Sequence, residues 1–263
     1  MDLYFQKTGV GNPVIFLHGL FGSSVNWHGV ARALAGRFTS YCPDLRNHGR
    51  SPHASVHDYE VMADDIYEFI RRHQLSRPFL VGHSMGGKVA MRFVLKYPGI
   101  VSGMVVVDIS PRAYKSLTGY DPQAIELLNI VNALDDLHPE TASSREELEQ
   151  RLALAIGDRD MRNFLLKNVR RTPGGSFQWI CNLKALKENL PVILDEVKGD
   201  GPARDMEVLF IKGGRSTYLS GSDIPLISKM FPNYRLEEIK EAGHFVPFDQ
   251  PGKFTALINS FFS

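Results

Sequence analysis

The chain has 263 residues, of which 43% are hydrophobic and 22% charged, and 30 Lys+Arg against 29 Asp+Glu leave a formal net charge of +1. A chain of this length can bury about 73% of its surface, so its core needs no metal or disulfide staple. The near balance of charge, with no basic tract beyond the pairs Arg71-Arg72 and Arg170-Arg171, excludes the electrostatic footprint of a nucleic-acid binder, and the lack of any 18-residue apolar run argues against a membrane-spanning helix.

The opening residues, MDLYFQKTG, contain Asp2 and Lys7 and no apolar stretch, which reads as no secretory signal. Residues 3–6 read as a first strand. Residues 12–17 (NPVIFL) are an apolar run ending at Gly19 and predict a buried strand. Over residues 25–38, Trp27, Val30, Leu34 and Phe38 fall at helical spacing, with Ser23 or Ser24 available as a cap. A strand at 40–42 closes at Pro43, and residues 44–57 read as a polar loop. Asp58 then caps a helix whose apolar stripe is Met62, Ile66, Phe69 and Ile70. Residues 78–81 are strand, 85–97 helix ended by Pro98-Gly99, and 101–109 the clearest buried strand. This alternation predicts a mostly parallel sheet covered by helices on both faces.

Ser110-Pro111 breaks the rhythm. From Asp121 to about Val197 only helical patterns are read, at 122–134, 145–156, 160–169 and 179–190. Alternation resumes with a strand at 207–211, a helix at 224–230, a strand at 235–239 and a terminal helix at 253–262. The expected organisation is an α/β core made of residues 1–110 and 201–263, with a helical lid inserted at 111–200. Cys42 and Cys181 match no metal-ligand spacing and are expected to be reduced, buried and inert, in a cytoplasmic protein.

The strongest chemical signal is Gly82-His83-Ser84-Met85-Gly86, directly after the strand PFLV and directly before a helix. G-x-S-x-G in a strand–turn–helix context predicts a nucleophile elbow, with Ser84 on a strained turn at the end of the sheet. The glycines let neighbouring backbone pass close by. A serine hydroxyl needs a base within reach. Of nine histidines, His83 adjoins the serine, but neighbours at a strand end point to opposite faces. His18 reads as support for the loop that follows it. His48, His53 and His57 share one polar loop without a metal pattern, and His28, His73 and His138 read as surface residues. His244, in AGHFVP between the last strand and the last helix, lies in a loop that opens at the elbow's end of the sheet. It is the candidate base.

The segments HGLFGS, DLRNHGRSP, VGHSMGGK and AGHFVPFDQP, taken together, resemble the α/β-hydrolase superfamily over essentially the whole chain, the helical insertion included. DLRNHGRSPH and IKGGRSTY are most similar to a group of small esterases and acyl-CoA thioesterases. In much of the superfamily the triad acid follows the strand after the lid, yet here that strand, VLFIKGG, is followed by RSTYL and has no carboxylate until Asp223. The strand before the lid ends in VVVDI, where Asp108 would be a costly buried charge without a partner. Some branches of the superfamily, this esterase group among them, place the acid there. Asp108 is therefore taken as the acid ahead of Asp223, and Asp44 is expected to brace the site through a backbone amide or an arginine. The oxyanion hole implied by the resemblance uses the backbone N–H groups of Met85 and Leu20, with Phe21 as the alternative to Leu20.

These residues imply acyl transfer from a carboxylic ester or acyl thioester of short to medium chain, an acyl-CoA included, through an acyl-enzyme on Ser84. No cofactor and no metal are required. The expected partner is a small-molecule substrate, with no nucleic acid and a monomer or weak dimer. Leu127, Ile130, Leu134, Phe164, Leu165, Phe177 and Trp179 are either acyl-pocket lining or lid packing. Arg112, Lys115, Arg170, Arg171 and Arg215 are either a rim for phosphates or solvated surface. Ser84 argues against the aspartate-nucleophile dehalogenases and epoxide hydrolases. A carbon–carbon bond hydrolase or cofactor-free perhydrolase would use the same triad, and a hydrolase-fold ligand receptor with slow turnover is the alternative of another class.

Overall fold

The computed structural model describes residues 1–116, 119–199 and 201–262. Residues 117, 118 and 200 of the expected lid, and residue 263 of the expected core, lie outside the described residues. Strands β1 (Phe5–Thr8), β2 (Asn12–Leu17), β3 (Phe38–Pro43), β4 (Phe79–His83), β5 (Gly103–Val107), β6 (Val208–Gly213) and β7 (Tyr234–Ile239) form one seven-stranded sheet. Their order is β1-β3-β2-β4-β5-β6-β7. β1 runs antiparallel to β3, and every other neighbouring pair is parallel.

The strands alternate between two cores, as the pleat requires. Ile15, Leu17, Leu80, Met104, Val106 and Phe210 face one side. There they meet the helices α2 (Tyr59–Arg72) and α3 (Met85–Lys96). Val14, Phe16, Val81, Val105, Val107 and Leu209 face the other, against α1 (His28–Leu34) and the C-terminal helix. Burial on both faces explains why these strands read as continuous apolar runs. Asp58 caps α2 by accepting from the Val61 amide at 2.8 Å.

Between β5 and β6 the chain forms α4 (Pro122–Asp135), α5 (Arg145–Ala153), α6 (Arg159–Leu166), α7 (Leu183–Glu188) and α8 (Leu190–Ile193). After β6 come α9 (Ile224–Met230), α10 (Val246–Asp249) and α11 (Pro251–Phe261). Two expectations are corrected. The helix read at 25–38 is a 3-10 turn at Ser24–Trp27 followed by α1, which ends before Gly36. Phe38 opens β3 instead, and its ring packs edge-on to Phe79 and Phe262. The stretch between 121 and 197 is not purely helical, because Val169–Arg171 pairs antiparallel with Phe177–Trp179. Pro173, Gly174 and Gly175 make that turn, with Gly175 at φ +88°, where a side chain would be strained. Among the described residues no helix is long and apolar enough to cross a membrane.

Candidate active site

The sheet register brings distant residues to one edge. Leu17 pairs with Gly82, His83 with Val107, and Val107 with Ile211, so β2, β4, β5 and β6 end side by side. Ser84 follows β4 at φ 53°, ψ −121°, a backbone that only a strongly supported turn sustains. Its amide donates to the Val107 carbonyl at 3.0 Å. The turn is tight on both sides. A Cβ on Gly82 would stand 2.2 Å from the Gly86 carbonyl oxygen, and one on Gly86 2.4 Å from that of Leu17. The first turn of the twelve-residue α3 begins at Met85, so its amide and the helix dipole face the Ser84 region.

Asp108 follows β5 at φ 49°, is 1% exposed, and is held by three donors. The Gly213 amide donates to Oδ1 at 2.8 Å, His244 Nδ1 donates to Oδ2 at 2.8 Å, and the Ser216 hydroxyl donates to the same oxygen. With Nδ1 carrying that proton, His244 presents Nε2 as an acceptor. Asp223 is engaged elsewhere: Arg112 Nε lies 3.0 Å from its Oδ1, and the Ser220 amide donates to Oδ2 at 2.7 Å. Ser84, Met85, Leu20 and His244 line one cavity of about 160 Å³. No Ser84–His244 hydrogen bond is formed among the described residues. Such bonds commonly tighten only when substrate binds.

The loop after β2 closes over the elbow. A Cβ on Gly19 would sit 3.2 Å from Ser84 Cβ and from His83 Nδ1. His18 supports this loop, donating from Nδ1 to the Gly19 carbonyl at 2.8 Å while Nε2 accepts from the Leu45 amide at 2.9 Å. The Phe21 amide donates to His48 Nε2 at 3.2 Å and is thus engaged within the protein, whereas Leu20 lines the cavity. Asp44 accepts from the Ser24 amide at 2.6 Å and the Arg50 amide at 2.8 Å, the bracing expected of it. Asn168, from the segment between β5 and β6, donates to the Phe21 carbonyl at 2.7 Å and ties that segment to the loop.

Three supporting roles were not read from the sequence. His83 does contact His244: its Nε2 donates to the His244 carbonyl at 2.8 Å. Tyr218 stacks on the His244 imidazole, centroids 3.9 Å apart and planes 23° from parallel. Ser216 and Tyr218 both come from RSTYL, so the loop that lacks a carboxylate instead contacts Asp108 and His244. Two histidines of the polar loop are deep in the fold. His48 and His57 are fully buried, with His48 ringed by His18 at 5.0 Å and His57 at 5.6 Å. Burial pushes His18 down to about 4, His48 to about 3, His57 to about 2 and His83 to about 3. All four are neutral imidazoles near neutral pH. Cys42 and Cys181 are buried free thiols, raised by burial to about 12.

Of the apolar side chains considered for the pocket, Leu127, Ile130, Phe164 and Leu165 line the cavity, and Leu134, Phe177 and Trp179 pack into the core. Of the five cations, Arg112 pairs with Asp121 and Asp223, and Lys115 with Asp195 at 3.0 Å.

A mostly parallel sheet with a serine elbow, a loop histidine and a strand-end aspartate at one edge defines an α/β hydrolase. The chain belongs to that family: the family profile described as the alpha/beta hydrolase fold matches residues 12–251. It is similar to the sn-1-specific diacylglycerol lipase ABHD11 of Danio rerio, at 35% identity over 263 residues, covering 98% of this chain and 80% of that protein. It is also similar to ethanol acetyltransferase 1 of Hanseniaspora uvarum, at 27% identity over 279 residues, 96% of this chain and 80% of that one. Among solved structures, a marine microorganism esterase superposes with a TM-score of 0.95 at 39% identity, over 99% of each chain.

Proposed function

We propose that the protein is a serine esterase. Ser84 Oγ attacks the ester carbonyl and passes its proton to His244 Nε2. Asp108 holds the imidazole by Nδ1 and stabilises its cation. The Leu20 and Met85 amides receive the oxyanion. Collapse breaks the bond to the leaving oxygen, which takes the proton from His244 and departs as the alcohol. Water, deprotonated by His244, then attacks the acyl-Ser84 ester, the acyl–Oγ bond breaks, Ser84 Oγ takes the proton back from His244, and the carboxylic acid is released. An acyl thioester would follow the same path with a thiol leaving group, and the acyl chains proposed are short to medium in length. The segment between β5 and β6 serves as the lid over this cavity.

The observation that carries the reading is the 2.8 Å bond from His244 Nδ1 to a fully buried Asp108, beside a cavity that Ser84 and His244 both line. Relatives named as a diacylglycerol lipase and an esterase act on esters, which supports the bond class. The relative named as an ethanol acetyltransferase favours a second reading of deacylation, with an alcohol replacing water as acyl acceptor. The buried free thiols support a reducing, cytoplasmic setting. The test is a chain-length panel of p-nitrophenyl esters and acyl-CoA thioesters on wild type and Ser84→Ala, with and without added ethanol. Turnover of esters by wild type and a loss of at least about 10⁴-fold in the variant are expected. Full activity in Ser84→Ala overturns the mechanism.

A further inference from the structure

Lys88 is a buried ionisable group that the acyl-transfer chemistry leaves unused. It lies one turn along α3 from Ser84, its amide donating to the Ser84 carbonyl at 3.2 Å, and it is 1% exposed. Its ammonium donates to the Arg112 carbonyl at 2.7 Å and to the Asp195 carbonyl at 2.5 Å. Those carbonyls belong to the two chains that leave and re-enter the core around the segment between β5 and β6. The same two chains are joined by backbone bonds, Val197 N–H to the Pro111 carbonyl and Tyr114 N–H to the Leu194 carbonyl, both 2.8 Å. Lys88 Nζ is thus a side-chain rung set between two backbone rungs. The Tyr114 and Tyr59 rings flank it, centroids 4.8 and 5.8 Å away, and the Tyr59 hydroxyl donates to the Ile193 carbonyl at 2.5 Å.

A methionine of similar length would fill this space without the cost of burying an ammonium. Of the acids nearby, Asp195 pairs with Lys115 and Asp223 with Arg112, and none, Glu196 included, forms an ion pair with Lys88 among the described residues. Burial accordingly pushes Lys88 down to about 7. What the lysine offers that an apolar side chain lacks is a pair of N–H donors for carbonyls on opposite chains of the neck. The neck is also part of the substrate cavity: Tyr59, Lys88, Tyr114, Ile193 and Leu194 line the cavity that Ser84 and His244 line.

We propose that Lys88 is a positioning and specificity-determining residue. By clamping both chains of the neck to the nucleophile's helix, it holds the Tyr114–Leu194 wall against the acyl chain of the substrate. The specificity part rests on the esterase reading, and the clamp itself does not.

The test pairs kinetics with hydrogen exchange on Lys88→Met and Lys88→Gln, using p-nitrophenyl acetate and octanoate. On this proposal the octanoyl chain meets the wall and the acetyl group does not, so in Lys88→Met kcat/KM for octanoate should fall about five-fold more than for acetate, mainly through KM. The Tyr114 and Val197 amides should exchange at least about ten-fold faster. Lys88→Gln keeps an amide donor and should recover part of both effects. Equal loss for the two esters overturns the specificity role, and unchanged exchange at both amides overturns the clamp. If Lys88→Met does not fold, Lys88→Gln and the wild-type exchange decide, since Tyr114 and Val197 must then be among the slow amides of the segment in wild type. Ser84→Ala is run alongside: retained esterase activity there defeats the esterase reading, while the exchange result stands or falls separately.

Discussion

His83 Nε2 donates to the backbone carbonyl of His244 at 2.8 Å, so the residue preceding Ser84 anchors the main chain of His244. The Ser84 and His244 segments are thereby joined across 161 positions of sequence. The His83 ring is neutral, because burial holds it near 3, so this donor is an uncharged N–H. His83→Phe keeps the ring volume and removes the donor. It should lower kcat about five- to ten-fold with KM within about two-fold, as expected for a hydrogen bond that aims a catalytic group. Steady-state kinetics check this, and an unchanged kcat would mean that the bond does not orient His244.

The two candidate acids are expected to separate cleanly. Asp108→Asn leaves the imidazole with the wrong tautomer and should cost about 10⁴-fold in kcat. Asp223→Asn removes an ion pair to Arg112 and a brace on the Ser220 turn. It should lower stability by about 1 kcal/mol and leave kcat near wild type. Comparable kcat in Asp108→Asn and wild type would refute the assignment. Ser216→Ala tests the support of Asp108 and should fall between the two.

The elbow's geometry makes a steric prediction. A methyl group on Gly86 would meet the Leu17 carbonyl oxygen at 2.4 Å and the His18 carbonyl oxygen at 2.7 Å, both rigid backbone. Gly86→Ala should therefore cost about 1–3 kcal/mol by shifting α3 or β2, and should reduce activity with it. Gly29→Ala, with open space around the added carbon, serves as the control. Urea melts of the two variants give the comparison, and equal midpoints would show that the elbow yields more readily than its contacts imply.

Stability should fall in mild acid. His18, His48, His57 and His83 all titrate far below 6.5 in the fold. Below about 6.5 the unfolded chain binds protons on these side chains and the folded chain does not. Their contribution is complete above about 6.5 and is lost as pH falls toward their folded values, by up to about 1.4 kcal/mol per unit for each group. His57 Nε2 is buried without a partner, and Asn47 Nδ2 approaches Nδ1 at 3.4 Å. His57→Phe should remove one of these groups and flatten the decline between about pH 7 and 5 in urea melts. A steeper decline in the variant would contradict this.

What could be read in advance follows from range. The strands of β2, β4 and β5 are continuous apolar runs because both sheet faces are covered, and that pattern is local. Ser84 is legible because the turn demands Gly82 and Gly86, and Asp108 because a charge ending VVV needs a partner. The hairpin of Val169–Arg171 with Phe177–Trp179 escaped notice because its strands have only three residues each, too few to show a period, although Pro173-Gly174-Gly175 marks its turn. His83, Tyr218 and Lys88 act through groups brought close only by the fold. Local spacing carries no trace of a bond from residue 83 to residue 244, or of an ammonium shared by carbonyls at 112 and 195.

The most direct test of the central claim is mass spectrometry of the protein after brief exposure to a fluorophosphonate, which forms a stable bond to an activated serine. Wild type should gain one phosphonyl group on the peptide containing Ser84, and Ser84→Ala should gain none there. His244→Ala should label at least about 10²-fold more slowly. Labelling elsewhere with Ser84 unmodified, or ester turnover that survives in Ser84→Ala, would contradict the account.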